Sequence, residues 1–293
     1  MQVVTTIADL RATLAPHRLA GRSIGFVPTM GYLHAGHMTL VDRARADTDV
    51  MVASIFVNPL QFAPTEDLDR YPRDLPHDRA LLAAHGCDVL FAPAVEEMYP
   101  RPMETMVDVT GLSSLLEGER RPGHFRGVAT VVAKLFGIVK PHRAYFGEKD
   151  YQQLLVIRRM SADLSMGVEI VGVPTVRDPD GVACSSRNVF LRPEERAAAP
   201  VLARSLAVAE EAVAGGTSDA TALERLVRRV IEAEPLAAPD LVAVRDAETL
   251  LDYDANRPPP AVVVLLAVRF GRTRLLDQRV IRVPHGEAGG ISP

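Results

Sequence analysis

Two histidines three residues apart are the first feature of this sequence that could take part in chemistry. His34 and His37 form the tetrapeptide His-Ala-Gly-His, directly after an apolar run and directly before a segment of helical character. A helix N-terminus attracts phosphate, because it presents backbone N–H groups and a partial positive charge. Gly36 would let a nucleotide approach the backbone closely, and imidazoles can donate hydrogen bonds to phosphate oxygens as charge builds on them. The tetrapeptide alone is also compatible with two incidental histidines at a helix start.

Metal binding is the less favoured role for these histidines. No third cysteine, histidine or carboxylate clusters with them in the sequence, whereas a catalytic metal usually has three protein ligands.

A lysine at a similar junction is the second feature. Lys149 lies in FGEKDYQQL, between an apolar run and a helical segment, and it is one of three lysines in a chain with 33 lysines and arginines together. An ammonium is a compact charge that can follow a migrating phosphoryl group, which a guanidinium fork does less well. An ordinary surface lysine is the alternative interpretation.

Three further segments carry polar groups suited to small anions. In VRDPDGVACSSRN, Asp-Pro-Asp-Gly predicts a hairpin turn, after which Ser185, Ser186 and Arg187 could bind a polyphosphate. In FVNPLQF and RRPGHFRGV, the amides of Asn58 and Gln61 could bind a small hydroxy acid, and Arg121 and His124 could position a phosphate or carboxylate. Each segment could equally be a solvated or capped loop.

Alternating apolar strands and helices would position these segments. Strands are predicted at 23–29, 50–57, 89–92, 144–146 and 169–173, with helices at 6–15, 38–46, 76–85, 128–139 and 151–164. Continuous apolar strands between helices are typical of a parallel sheet covered on both faces. Ligands bind such sheets beyond the carboxyl ends of the strands, which is where the polar segments fall.

The pattern changes after about residue 175 and predicts a second, smaller α+β domain. Helices are predicted at 194–214 and 219–234, followed by strands at 241–245, 261–270 and 273–283. The chain is therefore predicted to divide into a parallel-sheet domain at 1–175, which carries the candidate phosphate-binding segments, and a smaller domain at 176–293. The final GEAGGISP is predicted to be disordered.

Composition restricts the classes of partner. The net charge is −4 and the pI is about 6.1, which disfavours non-specific binding of nucleic acid or anionic membrane. The two cysteines, Cys87 and Cys184, lie far apart and predict neither a disulfide framework nor a zinc site. No apolar run approaches the ~18 residues of a membrane span, and the N-terminus lacks the pattern of a secretory signal. A cytoplasmic location is expected.

Six segments in order resemble one family. A histidine-glycine-histidine motif followed far downstream by a basic, serine-rich loop is similar to class I aminoacyl-tRNA synthetases and HIGH-motif nucleotidylyltransferases. Within that superfamily the chain resembles the pantoate–β-alanine ligase (pantothenate synthetase) family. The resemblance rests on PTMGYLHAGHMTL, FVNPLQF, DLDRYPR, RPGHFRGVATVV, FGEKDYQQL and SSRN, across residues 28–188.

The resemblance implies a Rossmann-like domain, a small C-terminal lid domain and a homodimer. It implies ATP with Mg²⁺, pantoate and β-alanine as substrates, and pantothenate, AMP and pyrophosphate as products. His34, His37, Lys149 and Arg187 would surround the departing pyrophosphate, with His37 as a proton donor; no Mg²⁺ ligand is assigned. The implied ATP contacts are Met30, Gly31, Tyr32, Leu33, His34, Ala35, Gly36, His37, Gly147, Glu148, Lys149, Asp150, Val176, Cys184, Ser185, Ser186 and Arg187. Gln61 and Gln153 would hold pantoate, and Gln61 would also face β-alanine.

One residue departs from the family pattern, and other functions remain open. Cys184 stands where the family commonly has methionine before Ser-Ser-Arg. The main alternative is a nucleotidylyltransferase acting on a small phosphorylated substrate, and a non-catalytic nucleotide-binding module is a third hypothesis. A tRNA synthetase is disfavoured by the negative charge and the absence of a basic extension.

Overall fold

The computed structural model describes residues 1–63 and 68–284. The chain forms two compact units, one of Met1–Val176 with Cys184–Ser186 and the other of Arg177–Ala183 with the residues from Arg187 onward. The chain therefore passes between the units several times within the segment predicted as a hairpin. The predicted disordered tail lies outside the described residues.

A six-stranded parallel sheet forms the centre of the first unit. Its strands lie in the spatial order β1-β4-β3-β2-β5-β6, and all their pairings are parallel. In chain order they are β1 (Gln2–Val4), β2 (Ile24–Thr29), β3 (Val50–Ile55), β4 (Val89–Phe91), β5 (Arg143–Gly147) and β6 (Glu169–Val173). The predicted parallel α/β fold is confirmed.

Helices cover both faces of this sheet. They are α1 (Ile7–Leu19), α2 (Ala35–Asp47), α3 (Leu75–Ala84), α4 (Val95–Met98), α5 (Glu117–Arg120), α6 (His124–Val139) and α7 (Tyr151–Asp163). Neighbouring residues of β2 face opposite sides, since Phe26 packs in a core with α1, α6 and α7 while Val27 packs in a core with α2 and α3. Both faces are buried, which explains the continuous apolar runs.

The strand order reverses beside β2. After β2 the chain builds β3 and β4 on one side of it, and then crosses to its other side to form β5 and β6. The carboxyl ends of β2 and β5 are therefore neighbours at the switch point where open α/β sheets bind ligands.

Several predicted helices have different bounds in the structure, including α1, which was predicted at 6–15, and α6, which was predicted at 128–139. Helix α2 begins at Ala35 rather than at residue 38, because His34 caps it with a side-chain hydrogen bond. The helix predicted at 194–214 is two helices, α8 (Pro193–Ala198) and α9 (Val201–Ala214). Pro200 separates them, as proline lacks the N–H that helix continuation requires.

The second unit packs helices on an antiparallel sheet. Strands β7 (Ala237–Asp246), β8 (Ala261–Phe270) and β9 (Thr273–Arg282) pair in sequence order. Helices α9 and α10 (Ala220–Glu232) contribute to its apolar core. The predicted smaller α+β unit is confirmed.

A tight turn at 177–183 is built into this second unit. Arg177 pairs with Ala183 in an antiparallel bridge. Its guanidinium forms two hydrogen bonds with the buried Asp277 carboxylate, at 2.7 and 2.9 Å. Val182 is 2% exposed and packs in the same core. The turn is therefore part of the folded unit.

Across residues 1–63 and 68–284, none of the helices has the length and apolar character required to cross a membrane.

Candidate active site

The two histidines lie side by side at the start of α2, after the carboxyl end of β2. Their ring centroids are 4.1 Å apart. His34 Nδ1 accepts a hydrogen bond from the Gly36 N–H at 3.1 Å, and His37 Nδ1 accepts one from the His34 N–H at 3.4 Å. A neutral imidazole that accepts through Nδ1 carries its proton on Nε2. Both rings are thereby set in the tautomer that donates through Nε2.

This capping arrangement changes one expectation from the sequence. The His37 and Met38 N–H groups donate to the His34 carbonyl at 2.8 and 3.2 Å, and the Gly36 N–H is engaged by the His34 ring. The sequence predicted free backbone N–H groups for a phosphate at this helix N-terminus, but these three already have partners within the protein. The imidazole Nε2–H groups are additional donors at this end of α2.

His37 is a neutral side chain in the free protein. Burial, with the neighbouring His34 and Lys149, lowers the pKa of its imidazole from 6.5 to about 3, while Asp150 opposes this shift. Desolvation disfavours the charged form of a base. His37 thus provides an N–H hydrogen-bond donor, and the approach of an anion would favour its protonated form.

Lys149 lies next to this histidine pair, after the carboxyl end of β5. It belongs to the 3₁₀ turn Glu148–Asp150, and its ammonium lies 3.5 Å from the Asp150 carboxylate. The Lys149 side chain is 15% exposed and that of Asp150 is 48% exposed. The pairing of β2 with β5 is what brings this cation to the histidines.

The residues on either side of the 177–183 turn also reach the histidine motif. The Cys184 N–H donates to the Val176 carbonyl at 2.9 Å. A Cβ atom placed on Gly36 would lie 3.6 Å from the Cys184 Cβ and 3.0 Å from the His34 ring. A side chain at position 36 would therefore press against the His34 ring, so glycine suits this packing.

Ser185 and Ser186 follow Cys184 within the first unit, whereas Arg187 belongs to the second unit. Ser185 and Arg187 each have an interaction with another residue. Within the second unit the Asn188 amide donates to the Ala183 carbonyl at 3.0 Å.

Gln61 lies after β3, and a buried asparagine holds its side chain. The Asn58 amide donates to Gln61 Oε1 and to the Gly127 carbonyl, both at 3.1 Å, while its oxygen accepts from the Tyr99 hydroxyl at 2.8 Å. Gln61 Nε2 in turn lies 3.1 Å from the Met30 sulfur. Asn58 is 1% exposed, and both protons of its amide are already donated.

The hydrogen-bonding groups of Asn58 therefore have partners within the protein, and one of these partners is the Gln61 amide. A contact between Asn58 and a substrate remains a prediction.

His124 also contacts Gln61 through the backbone. Its Nδ1 lies 2.8 Å from the Gln61 carbonyl and its Nε2 lies 3.0 Å from an Arg121 nitrogen. Since the carbonyl can only accept and the guanidinium can only donate, His124 is protonated on Nδ1. Both ring nitrogens are engaged, so this histidine supports the Gln61 backbone instead of presenting a free nitrogen to an anion.

Two neighbouring glutamines at the start of α7 have different surroundings. Gln152 is buried and donates to the Leu112 and Leu115 carbonyls, both at 2.8 Å. The side chain of Gln153 is partly exposed and makes no hydrogen bond to any residue within 1–63 and 68–284. Of the two amides, that of Gln153 is therefore the one without a hydrogen bond in the described ranges, and its binding of pantoate remains a prediction.

Asp78 is a component that the sequence analysis missed. It lies on α3, is 1% exposed, and accepts hydrogen bonds from the Tyr32 and Leu33 N–H groups at 2.8 and 2.7 Å. An acidic residue in the early turns of a helix is common and carries no local signal of this role. Only the packing of α3 against the 30–33 turn shows it.

In the part of the chain that the structure describes, no group of three or more His, Cys, Asp or Glu side chains could hold a metal ion.

A parallel sheet with paired histidines beside its switch point, and a lysine on the adjacent strand's loop, is the arrangement of the HIGH-motif nucleotidylyltransferase class. The family model described as pantoate–β-alanine ligase matches residues 2–280. The chain belongs to the pantoate–β-alanine ligase family.

Relatives and solved structures agree with this assignment. The chain is 61% identical to the pantothenate synthetase of Sinorhizobium medicae over 281 residues, covering 96% of each chain. It is similar to the crystal structure of the Thermus thermophilus pantothenate synthetase, with a TM-score of 0.89 and 53% identity over 95% of this chain and 99% of that one. The Francisella tularensis ligase, crystallised with β-γ ATP and β-alanine, has a TM-score of 0.78 and 32% identity, covering 96% and 97% of the two chains.

Proposed function

We propose that the first unit activates pantoate as an acyl adenylate and that β-alanine then takes the acyl group. Family membership makes the chain an AMP-forming ligase of pantothenate biosynthesis. ATP as co-substrate is supported by the Francisella tularensis ligase, whose crystals contain β-γ ATP together with β-alanine.

The two-step scheme follows from the chemistry of amide formation. A carboxylate is a poor acylating agent, so it needs a good leaving group. One pantoate carboxylate oxygen attacks the α-phosphorus of ATP, the bond from that phosphorus to the bridging oxygen breaks, and pyrophosphate leaves. The β-alanine nitrogen then attacks the pantoyl carbonyl, AMP leaves, and the nitrogen releases a proton. No covalent bond to a protein nucleophile is required.

The histidine pair and Lys149 are assigned to the departing pyrophosphate. The observation that carries this proposal is the pairing of β2 with β5, which places a lysine beside two imidazoles set to donate through Nε2. Preorganised donors stabilise charge as it develops, at no reorganisation cost during the reaction. Arg187 is proposed from the family motif as a further cation for the pyrophosphate.

The remaining ATP contacts are proposed from the family motifs on the same edge of the sheet. They are Met30, Gly31, Tyr32, Leu33, Ala35, Gly36, Gly147, Glu148, Asp150, Val176, Cys184, Ser185 and Ser186.

Gln61 and Gln153 are proposed to bind pantoate, with Gln61 also facing β-alanine. The hydrogen bond from Asn58 fixes the Gln61 amide before a substrate arrives, and such preorganisation lowers the entropy cost of binding. Asn58, Arg121 and His124 are therefore assigned to support Gln61.

Three further features belong to this proposal through the family resemblance. Mg²⁺ would enter with the nucleotide phosphates, since it commonly retains several waters and binds through substrate phosphates. The second unit would act as a lid domain. The enzyme would be a cytoplasmic homodimer.

Isotope exchange between ATP and pyrophosphate tests the scheme. We expect exchange that requires pantoate and does not require β-alanine, together with AMP release that needs all three substrates. Exchange that requires β-alanine would contradict the adenylate intermediate. Exchange with a small phosphorylated substrate, and none with pantoate, would favour the nucleotidylyltransferase alternative.

A further inference from the structure

The turn between β2 and α2 has a backbone that needs external support. Gly31 has a φ of +83° and Tyr32 a φ of +54°. The left-handed region costs a non-glycine residue on the order of 1 kcal/mol. Gly31 adopts this conformation without a steric cost, whereas Tyr32 keeps it only if its surroundings hold it.

Asp78 provides that support from a helix more than forty residues away in sequence. Its Oδ2 accepts from the Tyr32 N–H at 2.8 Å and its Oδ1 accepts from the Leu33 N–H at 2.7 Å. A Cβ atom on Gly31 would lie 3.0 Å from Asp78 Oδ2, so the carboxylate also lies against the backbone of the turn. Asp78 is therefore close to the turn both through its hydrogen bonds and through its approach to Gly31.

A carboxylate suits this position better than an amide. The two N–H groups need two acceptor atoms, and an ionised aspartate has two, whereas asparagine has one acceptor and one donor group. The carboxylate is 1% exposed and forms no ion pair with any residue in the described ranges. Both of its oxygen atoms accept from backbone amides of the turn, and hydrogen bonds to a carboxylate are stronger than those to a neutral acceptor.

The turn joins two parts of the candidate active site. Met30, at its start, contacts the Gln61 amide through its sulfur. His34, after its end, caps α2 and orients His37. A shift of this backbone would therefore move the proposed pantoate-binding and pyrophosphate-binding groups relative to each other.

We propose that Asp78 is a positioning residue for the adenylation step. By fixing the 30–33 turn, it holds the Met30–Gln61 contact and the histidine pair in one geometry. It touches neither substrate nor the reacting atoms in this scheme. The inference rests on the proposed function, because it assigns Asp78 to the step in which pyrophosphate leaves.

The test compares Asp78→Asn with Asp74→Asn on the same protein. Asn at 78 keeps the size of the side chain but sets an NH₂ group against a backbone N–H. Asp74 is the N-cap of α3, where asparagine caps as well as aspartate, so this variant removes a charge from the same helix without disturbing the turn.

Asp78→Asn should lower pantoate-dependent ATP–pyrophosphate exchange about 10- to 100-fold, the scale expected for a small misplacement of reacting groups. Transfer from chemically made pantoyl adenylate to β-alanine should fall less. The imidazole NMR signals of His34 and His37 should shift in Asp78→Asn and stay in place in Asp74→Asn. The Asp74→Asn variant should keep its rate of ATP–pyrophosphate exchange within about twofold of the wild type.

The outcomes separate this inference from the function on which it rests. A wild-type enzyme without pantoate-dependent exchange would overturn the proposed function. A wild-type enzyme with exchange, and an Asp78→Asn variant that exchanges equally well or whose histidine signals do not move, would overturn the role of Asp78. Equal losses in exchange and transfer, matching a loss of folded protein, would show a merely structural aspartate.

Hydrogen exchange on the wild type gives a second measurement if Asp78→Asn does not fold. The Tyr32 and Leu33 amides should exchange slowly, like those of the central strands. Rapid exchange would mean that Asp78 does not hold the turn, and would contradict the proposal.

Discussion

His34 and His37 orient each other at the start of α2. The backbone N–H of His34 donates to His37 Nδ1, while His34 Nδ1 accepts from Gly36, and the two ring centroids are 4.1 Å apart. The pair therefore acts as one preorganised donor unit rather than as two independent side chains. Predictions for the chemistry follow from this geometry.

Removing a donor from this unit should affect adenylation more than acyl transfer. His37→Ala and Lys149→Ala should each lower pantoate-dependent ATP–pyrophosphate exchange by ~10²–10³-fold, the usual cost of losing a preorganised donor. Given pantoyl adenylate, both variants should transfer to β-alanine with a smaller loss, because no pyrophosphate then leaves. Single-turnover assays measure the two steps separately.

His85→Ala is the matched control for His37→Ala. His85 Nδ1 lies 2.6 Å from the Asp42 carboxylate on the surface. His85→Ala should therefore have little effect on either step. Variants at His37 and Lys149 that lose transfer as severely as exchange would show that these residues serve general binding.

The charge state of His37 should depend on its ligands. With its pKa lowered by burial to about 3, the imidazole should show no titration between pH 5 and 8 in the free protein, as measured from its NMR signal. Addition of ATP should raise this pKa, because a nearby anion favours the charged form. A free-protein titration near 6.5 would contradict the neutral donor.

The same shift has a consequence for stability. The folded-state pKa lies below the unfolded value of 6.5, so the unfolded chain binds the proton first as the pH falls. The stability contributed by neutral His37 is present above pH 6.5 and is lost as the pH falls toward 3. Urea unfolding of His37→Asn should therefore depend less steeply on pH in this window than unfolding of the wild type.

Two glycines of α6 should respond oppositely to alanine. A Cβ on Gly127 would lie 2.1 Å from the Leu60 carbonyl oxygen and 2.7 Å from the Gln61 nitrogen, whereas one on Gly137 would have no contact within 4 Å. Gly127→Ala should displace Gln61, raise the KM for pantoate by at least about 10-fold and lower the melting temperature.

Gly137→Ala should leave the kinetics unchanged and stabilise the fold by up to about 1 kcal/mol, the difference in helix propensity. Steady-state kinetics and thermal unfolding measure both variants. A pantoate KM unchanged in Gly127→Ala would argue against a role for this packing in substrate binding.

The family's usual methionine should be tolerated at position 184. The Cys184 Cβ packs toward Gly36, and its backbone N–H is engaged by Val176. Cys184→Met should change the KM for ATP by no more than a few-fold, and Cys184→Ser separates the effect of the sulfur from that of size. A loss above tenfold, about 1.4 kcal/mol, would reveal a specific role for the thiol.

Local sequence patterns determined the order and type of most elements. Five of the six strands of the parallel sheet were predicted, because both faces are buried and each of these strands is a continuous apolar run; the short edge strand β1 was missed. The polar segments were predictable as loops because strand ends and turn residues mark them. The position of the histidine pair and Lys149 at one edge followed from the topology rule for such sheets.

Only the tertiary structure decided which polar side chains remain open to ligands. Asn58 and His124 have residue types suited to binding, yet both form hydrogen bonds with distant parts of the chain. The Asn58 amide donates to the Gly127 carbonyl, 69 residues away, and His124 donates to the Gln61 carbonyl, 63 residues away. Asp78 carries no local signal, and its partners in the 30–33 turn are 45 and 46 residues distant. The choice of hydrogen-bond partner depends on how helices and loops dock on the sheet, which residue type and local periodicity do not encode.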